Sequence, residues 1–204
     1  MIQRTIEPTV TERLIQGGKV IVVYGARQVG KTTLVTQILK NLAYRVRSIN
    51  ADELFFRTAL SSQDLRQLRD LVEGYDLLFI DEAQRIPDIG INLKIIADQL
   101  SHIRVIVTGS SSLDLAGQVR EPLTGRTWTF ILYPVAQCEL AKQFSSFDLR
   151  YQLEERLVYG SYPALFTLVG ERIRRDYLNE ILSSYLYKDI LTLGNIRNSD
   201  KLRS

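Results

Sequence analysis

One cysteine and one histidine stand in 204 residues, and that scarcity removes several chemistries. Cys138 has no second cysteine to bond within the chain, so an intramolecular disulfide and a cysteine-cluster zinc site are both excluded. The residue reads as small, apolar and partly buried. His102 would have to serve as the base of any Ser-His-Asp triad, and it sits where a surface loop meets a strand. No apolar run approaches the ~20 residues needed to cross a bilayer. The segment Met1 to Glu7 lacks the apolar stretch of a signal peptide. A cytoplasmic setting without membrane insertion is therefore expected.

Charge of one sign is also scarce. Lys and Arg number 26 against 23 Asp and Glu, a net charge of +3, and no long basic block stands out. That balance permits nucleic-acid binding without arguing for it. Hydrophobic residues at 45% and charged residues at 24% are those of a globular chain that can bury a core. The length suits one domain, or one domain with an appendage. There is no internal repeat and no low-complexity linker.

What the chain does have is Gly25-Ala26-Arg27-Gln28-Val29-Gly30-Lys31-Thr32. This matches Gly, four residues, Gly-Lys-Thr, the phosphate-binding P-loop. Val20 to Tyr24 before it reads as a buried strand, and Thr33 to Lys40 after it carries apolar residues at helical spacing. Gly25 and Gly30 allow a tight turn. The loop's N–H groups and the positive end of the helix then face an anion. Lys31 can reach β- and γ-phosphate oxygens, and the Thr32 hydroxyl can bind Mg²⁺. Ala26, Arg27, Gln28, Val29 and Thr33 complete the set of candidate nucleotide-binding residues.

Along the chain, a helix is expected over 8–16, capped by Thr9 or Thr11. Strands are expected over 19–24, 44–49, 77–80, 103–107 and 128–132. A helix opened by Ser61 to Asp64 carries Leu65, Leu68, Leu71 and Val72 on one face. Another runs from Pro87-Asp88 to Leu100. Strands alternating with helices indicate an α/β protein whose parallel sheet is covered on both faces. After about residue 134 the pattern turns helical, over 135–144 and 149–159. Gly160 to Pro163 breaks it, and a long amphipathic segment follows over 171–193. The expected division is a core over 1–134 and a helical segment over 135–204. The polar residues 194–204 close no structural unit, so a further C-terminal domain is expected to follow in the complete protein.

The strand at 77–80 runs straight into Asp81-Glu82. A buried strand ending in Asp-Glu, placed after a full P-loop, matches the Walker B pattern. Asp81 would hold Mg²⁺ with Thr32, and Glu82 would polarise water as general base. A parallel sheet gathers ligands at the C-terminal ends of its strands. A water-activating carboxylate favours hydrolysis over transfer to a small-molecule acceptor. The run Asp81-Glu82-Ala83-Gln84 is not the Asp-x-x-Gly of a GTPase, and no Asn-Lys-x-Asp guanine-reading sequence occurs. ATP is thus the expected nucleotide.

Thr108 to Ser112 follows the fourth strand. Ser110 is the first candidate for a side chain that senses the γ-phosphate, and Thr108 the second. Ser111 or Ser112 could equally cap a helix beginning at Leu113. Three arginines are candidates for transition-state charge: Arg27 inside the loop, Arg126 beside the fifth strand and close to the site edge, and Arg120. An ordinary ion pair is the plainer reading of Arg126.

These elements together resemble the AAA-type ATPases of the P-loop superfamily. More narrowly, the chain resembles a prokaryotic group whose P-loop reads Gly-x-Arg-Gln-x-Gly-Lys-Thr-Thr, here Gly25 to Thr33. The group's acidic motif, Asp-Glu-x-Gln-x-x-Pro, is matched by Asp81 to Pro87. Thr108-Gly109-Ser110, Gly125-Arg126, Tyr133-Pro134, Gly160 to Pro163 and Tyr185 to Ile190 match as well. Ser110 stands where many AAA-type proteins carry asparagine. The resemblance implies a three-layer α/β/α core with strand order 5-1-4-3-2. A small helical or winged-helix segment would follow, then a further C-terminal domain. It implies ATP and Mg²⁺ as cofactors, with Glu82, Lys31 and Arg126 as catalytic residues. The expected function is a Mg²⁺-dependent ATP hydrolase that couples nucleotide state, ATP or ADP, to conformational change. The alternative is a nucleotide-controlled switch that binds DNA or protein with little turnover. A homo-oligomer is a further expected partner, and a phosphotransferase ranks last.

Overall fold

Val20–Tyr24 is buried at every position. A strand apolar on both faces needs a cover on each side. The computed structural model, which describes residues 2–109 and 122–183, supplies both. Strands β1 (Val20–Tyr24), β2 (Val46–Asn50), β3 (Leu77–Asp81), β4 (Arg104–Gly109) and β5 (Thr127–Ile131) form one sheet in the order β2-β3-β4-β1-β5. Every pairing is parallel. This is the α/β, P-loop NTPase sheet order expected from the sequence.

The two faces of the sheet take alternate residues, as the period of a strand requires. Val20, Val22, Tyr24, Leu78, Ile80, Val105 and Val107 join one cluster. It is completed by helices α3 (Leu54–Leu60), α4 (Leu65–Val72) and α5 (Ile89–Gln99), through Leu60, Leu68, Leu93 and Ile96. Ile21, Val23, Phe79 and Ile106 alternate with those residues and are buried too. Helices α1 (Glu7–Gln16) and α2 (Lys31–Lys40) pack against β1 and β4, burying Val10, Leu14, Leu34, Val35 and Ile38. The result is a three-layer α/β/α arrangement.

Local chemistry sets the helix ends. Asp64 caps α4 by accepting the Arg66 N–H at 2.8 Å. The threonine caps expected for α1 are not found. The helix starts at Glu7 with Pro8 in its first turn, a position that proline's fixed φ favours. Thr11 therefore lies inside the helix, where its hydroxyl donates to the Glu7 carbonyl at 2.8 Å. Helix α3 was not expected, because seven residues are too few to show a helical period.

The chain divides into two compact units. Residues 4–26, 30–109 and 122–132 make up the sheet unit, and 133–183 with 2–3 and 27–29 make up the second. The second contains α6 (Gln137–Leu140), α7 (Ser146–Tyr151), α8 (Leu153–Tyr159) and α9 (Glu171–Ile181), with no strand among its described residues. The helices expected over 135–144 and 149–159 are broken differently. The Ser145 N–H donates to the Asp148 carboxylate and the Asp148 N–H to the Ser145 hydroxyl, a capping box, and this starts a new helix at Ser146. Gly160, at φ +80°, ends α8 with its N–H on the Arg156 carbonyl at 2.9 Å. Val135, Leu140 and Leu149 form a small core with Ile2, Phe144 and Phe166. Cys138 is exposed rather than partly buried, because the single turn of α6 directs Glu139 and Leu140 inward instead. His102 is exposed in the turn before β4. Among the described residues no helix is long and apolar enough to cross a membrane.

Leu93 is completely buried in the larger cluster. Leu93→Ala should cost about 2–5 kcal/mol through lost transfer energy and a residual cavity. Ile15, 49% exposed on α1, should tolerate alanine within about 0.5 kcal/mol. Urea denaturation of the two variants checks the contrast.

Candidate phosphate-binding site

The sheet order places β4 between β1 and β3. Val23 lies opposite Thr108, Tyr24 opposite Gly109, and Ile80 opposite Val107. The C-terminal ends of these strands therefore stand side by side. At that edge β1 leads into the P-loop and β3 ends in Asp81. This is the edge at which open α/β sheets bind ligands.

The loop's backbone explains its glycine. Gly30 caps α2 at φ +94°, ψ +28°, a left-handed conformation that a Cβ would strain. Gln28 is also left-handed, at φ +63°, which is uncommon for a residue with a side chain. Lys31, only 5% exposed, opens α2 and turns back onto the loop. Its Nζ donates to the Gly25 and Ala26 carbonyls, both at 2.9 Å. Val29 is completely buried, Arg27 is half-buried, and Ala26, Gln28, Thr32 and Thr33 are exposed.

Asp81 is the meeting point of the polar side chains. The Thr32 hydroxyl donates to its carboxylate, 2.8 Å from Oδ2 and 3.0 Å from Oδ1. The Thr108 hydroxyl donates to Oδ1. Thr108 Oγ1 in turn accepts the Glu82 N–H at 3.2 Å. Thr108 is completely buried, and these bonds satisfy its hydroxyl. The second candidate for a γ-phosphate sensor thus contacts both acidic residues. Glu82 is left-handed at φ +55°, and its Oε2 accepts the Gln84 amide at 2.5 Å.

The other sequence candidates fall elsewhere. Arg126 precedes β5, whose first residue, Thr127, lies opposite Val20. That is the N-terminal edge of the sheet, opposite to the P-loop. Its Nε pairs with Asp98 at 2.6 Å, so the ordinary ion pair is what the structure contains. The expectation that Arg126 lies close to the site edge is corrected: the chain direction of a parallel strand puts a residue before β5 at the far end. Ser110 and Arg120 lie outside the described residues. Two residues gain a place that the sequence had not assigned them: Gln84, until now a motif position without a role, and Arg4, which no motif includes. Gln84 meets Glu82, and Arg4, 8% exposed, has Nη1 3.9 Å from where a Cβ on Gly30 would stand.

Among the described residues no group of three or more His, Cys, Asp or Glu could hold a metal. Thr32 and Asp81 offer a hydroxyl and a carboxylate, hard oxygen ligands. Such a sparse pair suits Mg²⁺, which keeps waters and substrate phosphates as its remaining ligands.

A glycine-capped loop between β1 and α2, facing an acidic pair across an inserted strand, defines a P-loop fold of the AAA type. A family model described as an AAA domain matches residues 17–141, and the chain belongs to that family. A second model, a domain of unknown function, matches 150–204. An uncharacterized protein of Methanocaldococcus jannaschii is 28% identical over 91% of this chain and 45% of its own length. One from Mycobacterium tuberculosis is 29% identical over 95% of this chain and 41% of its own. The chain thus spans less than half the length of these curated relatives. Among solved structures, a Walker-type ATPase of Pyrococcus abyssi superposes with a TM-score of 0.65 at 17% identity, covering 97% of this chain and 77% of the other. The replication initiator DnaA, bound to AMPPCP and single-stranded DNA, superposes with a TM-score of 0.52 at 18% identity, covering 88% and 67%. These likenesses show the fold.

Replacing Thr108 by valine keeps its shape and removes its hydroxyl. The Glu82 N–H and one Asp81 lone pair would lose their partner, which should cost about 1–3 kcal/mol. Thr108→Ser should recover most of that loss. Thermal unfolding of both variants reads the difference.

Proposed function

We propose that the protein is a Mg²⁺-dependent ATP hydrolase whose nucleotide state drives a conformational change. The observation that carries this is the convergence of Thr32 and Thr108 on Asp81, with Glu82 next to it. We take 1–134 as the ATPase core and 135–204 as the helical segment that carries the response. We take the setting as cytoplasmic, a reading with which the single cysteine is compatible.

In this reading the backbone N–H groups from Gly25 to Thr33 cradle the phosphates, and the Lys31 ammonium neutralises their charge. Thr32 and Asp81 hold Mg²⁺, which supplies charge compensation on the phosphate oxygens when bound. Glu82 accepts a proton from the attacking water. Adjacent Asp and Glu, with no guanine-reading sequence, favour ATP over GTP and water over another acceptor.

The nucleotide-controlled switch that binds DNA or protein ranks second. Arg172, Arg174, Arg175, Arg197, Lys201 and Arg203 would supply its positive charge; the last three lie outside the described residues, and the three on α9 are each matched by an acid. Arg174 pairs with Glu155, Arg175 with Glu171 at 3.7 Å, and Arg172 with Asp176 at 4.0 Å. A helix so balanced offers no positive stripe to a phosphate backbone.

Lys31→Ala should abolish binding of a fluorescent ATP analogue. Glu82→Gln should keep that binding and lower turnover by about 10²–10⁴-fold, the usual share of a general base. Undiminished hydrolysis by Glu82→Gln would sink the base assignment. Arg126→Ala, altered at the opposite sheet edge, should hydrolyse ATP at the wild-type rate.

A further inference from the structure

The acidic motif runs Asp81-Glu82-Ala83-Gln84, and the proposed cycle uses only its first two residues. Gln84 sits on a 3-10 turn, Ala83–Arg85, that follows the end of β3 with only Glu82 intervening. The turn is anchored. Ala83 and Ile86 are completely buried in the main cluster, and Arg85 reaches Asp52 at 2.5 Å. A side chain projecting from such a turn has a fixed origin.

Glu82 itself has a pinned backbone, and its side chain carries three rotatable bonds beyond it. Its N–H donates to Thr108, and its carbonyl accepts the Arg85 N–H at 3.0 Å. The left-handed φ of +55° is a conformation that surrounding contacts must hold in place. Beyond Cβ the carboxylate still has rotamer freedom. A base loses effectiveness when it samples orientations that do not face its proton.

We infer that Gln84 is a positioning residue for Glu82. Its amide nitrogen donates to Oε2 at 2.5 Å, which restrains that oxygen and leaves Oε1 for the water. Gln84 touches neither nucleotide nor metal in this role; it acts through Glu82. The inference rests on reading Glu82 as the base. It explains the glutamine's type at this position: an amide of that length, two residues on, has an N–H donor and no charge to compete for the metal.

The test is steady-state ATP hydrolysis and ATP-analogue binding by Gln84→Ala and Gln84→Glu, each alone and in a Glu82→Gln background. Gln84→Ala should lower kcat about tenfold, part of the full effect of a general base, with KM and analogue affinity unchanged. Gln84→Glu keeps the length, lacks the donor and adds a like charge, so its kcat should fall at least as far. It also serves if the alanine variant folds poorly. In the Glu82→Gln background neither change should lower the residual rate further. A wild-type kcat in both single variants, a loss carried by KM, or a further loss without the Glu82 carboxylate would each overturn the inference. Absence of hydrolysis by the unmodified chain would remove the base reading itself, and the positioning role with it.

Discussion

The Asp81 carboxylate accepts hydroxyls from two separate elements, Thr32 on α2 and Thr108 on β4. A carboxylate has about four lone-pair sites and no donor when ionised, so it can join several donors at one point. Bonds to an ionised acceptor are stronger than neutral ones. This point ties the helix that follows the P-loop to the strand that carries the acidic pair. Glu82 is then set by the same Thr108, through its backbone N–H. Removal of that hydroxyl would disturb both acidic residues together.

That junction exists because β4 is threaded between β1 and β3. Apolar residues on both faces of these strands hold the register. Slipping a strand by one residue would exchange its two faces. In β3 such a slip would carry Asp81 away from Thr108. The core and the site are therefore one constraint: the burial of Ile80 and Val107 also decides where the acidic pair stands.

Much of this was legible in the chain. The P-loop spans consecutive residues, and its meaning depends on local spacing and on the left-handed turn at Gly30. The five expected strand segments became the five strands, each shifted by no more than about two residues, the usual error at element boundaries. Other readings needed the fold. Arg126 looked close to the site because it touches a strand in sequence, yet strand direction sends it to the opposite edge and to Asp98. Thr108 stood out because it ends a strand, and only the fold joins its hydroxyl to Asp81 and to the Glu82 N–H. Arg4 carried no signal of its own, and Gln84 was a motif position without a role, since neither burial nor a side-chain partner is written in a single residue's identity.

By itself the sequence determined a parallel α/β chain with a phosphate loop and an acidic strand end, because each of those depends on residues adjacent in the chain and on hydrophobic period. Only the tertiary structure decided which polar groups meet. Thr32 and Asp81 are 49 positions apart, and Asp81 and Thr108 are 27 apart. Such pairs are joined by strand order and register, which arise from burial across the whole sheet rather than from any local preference.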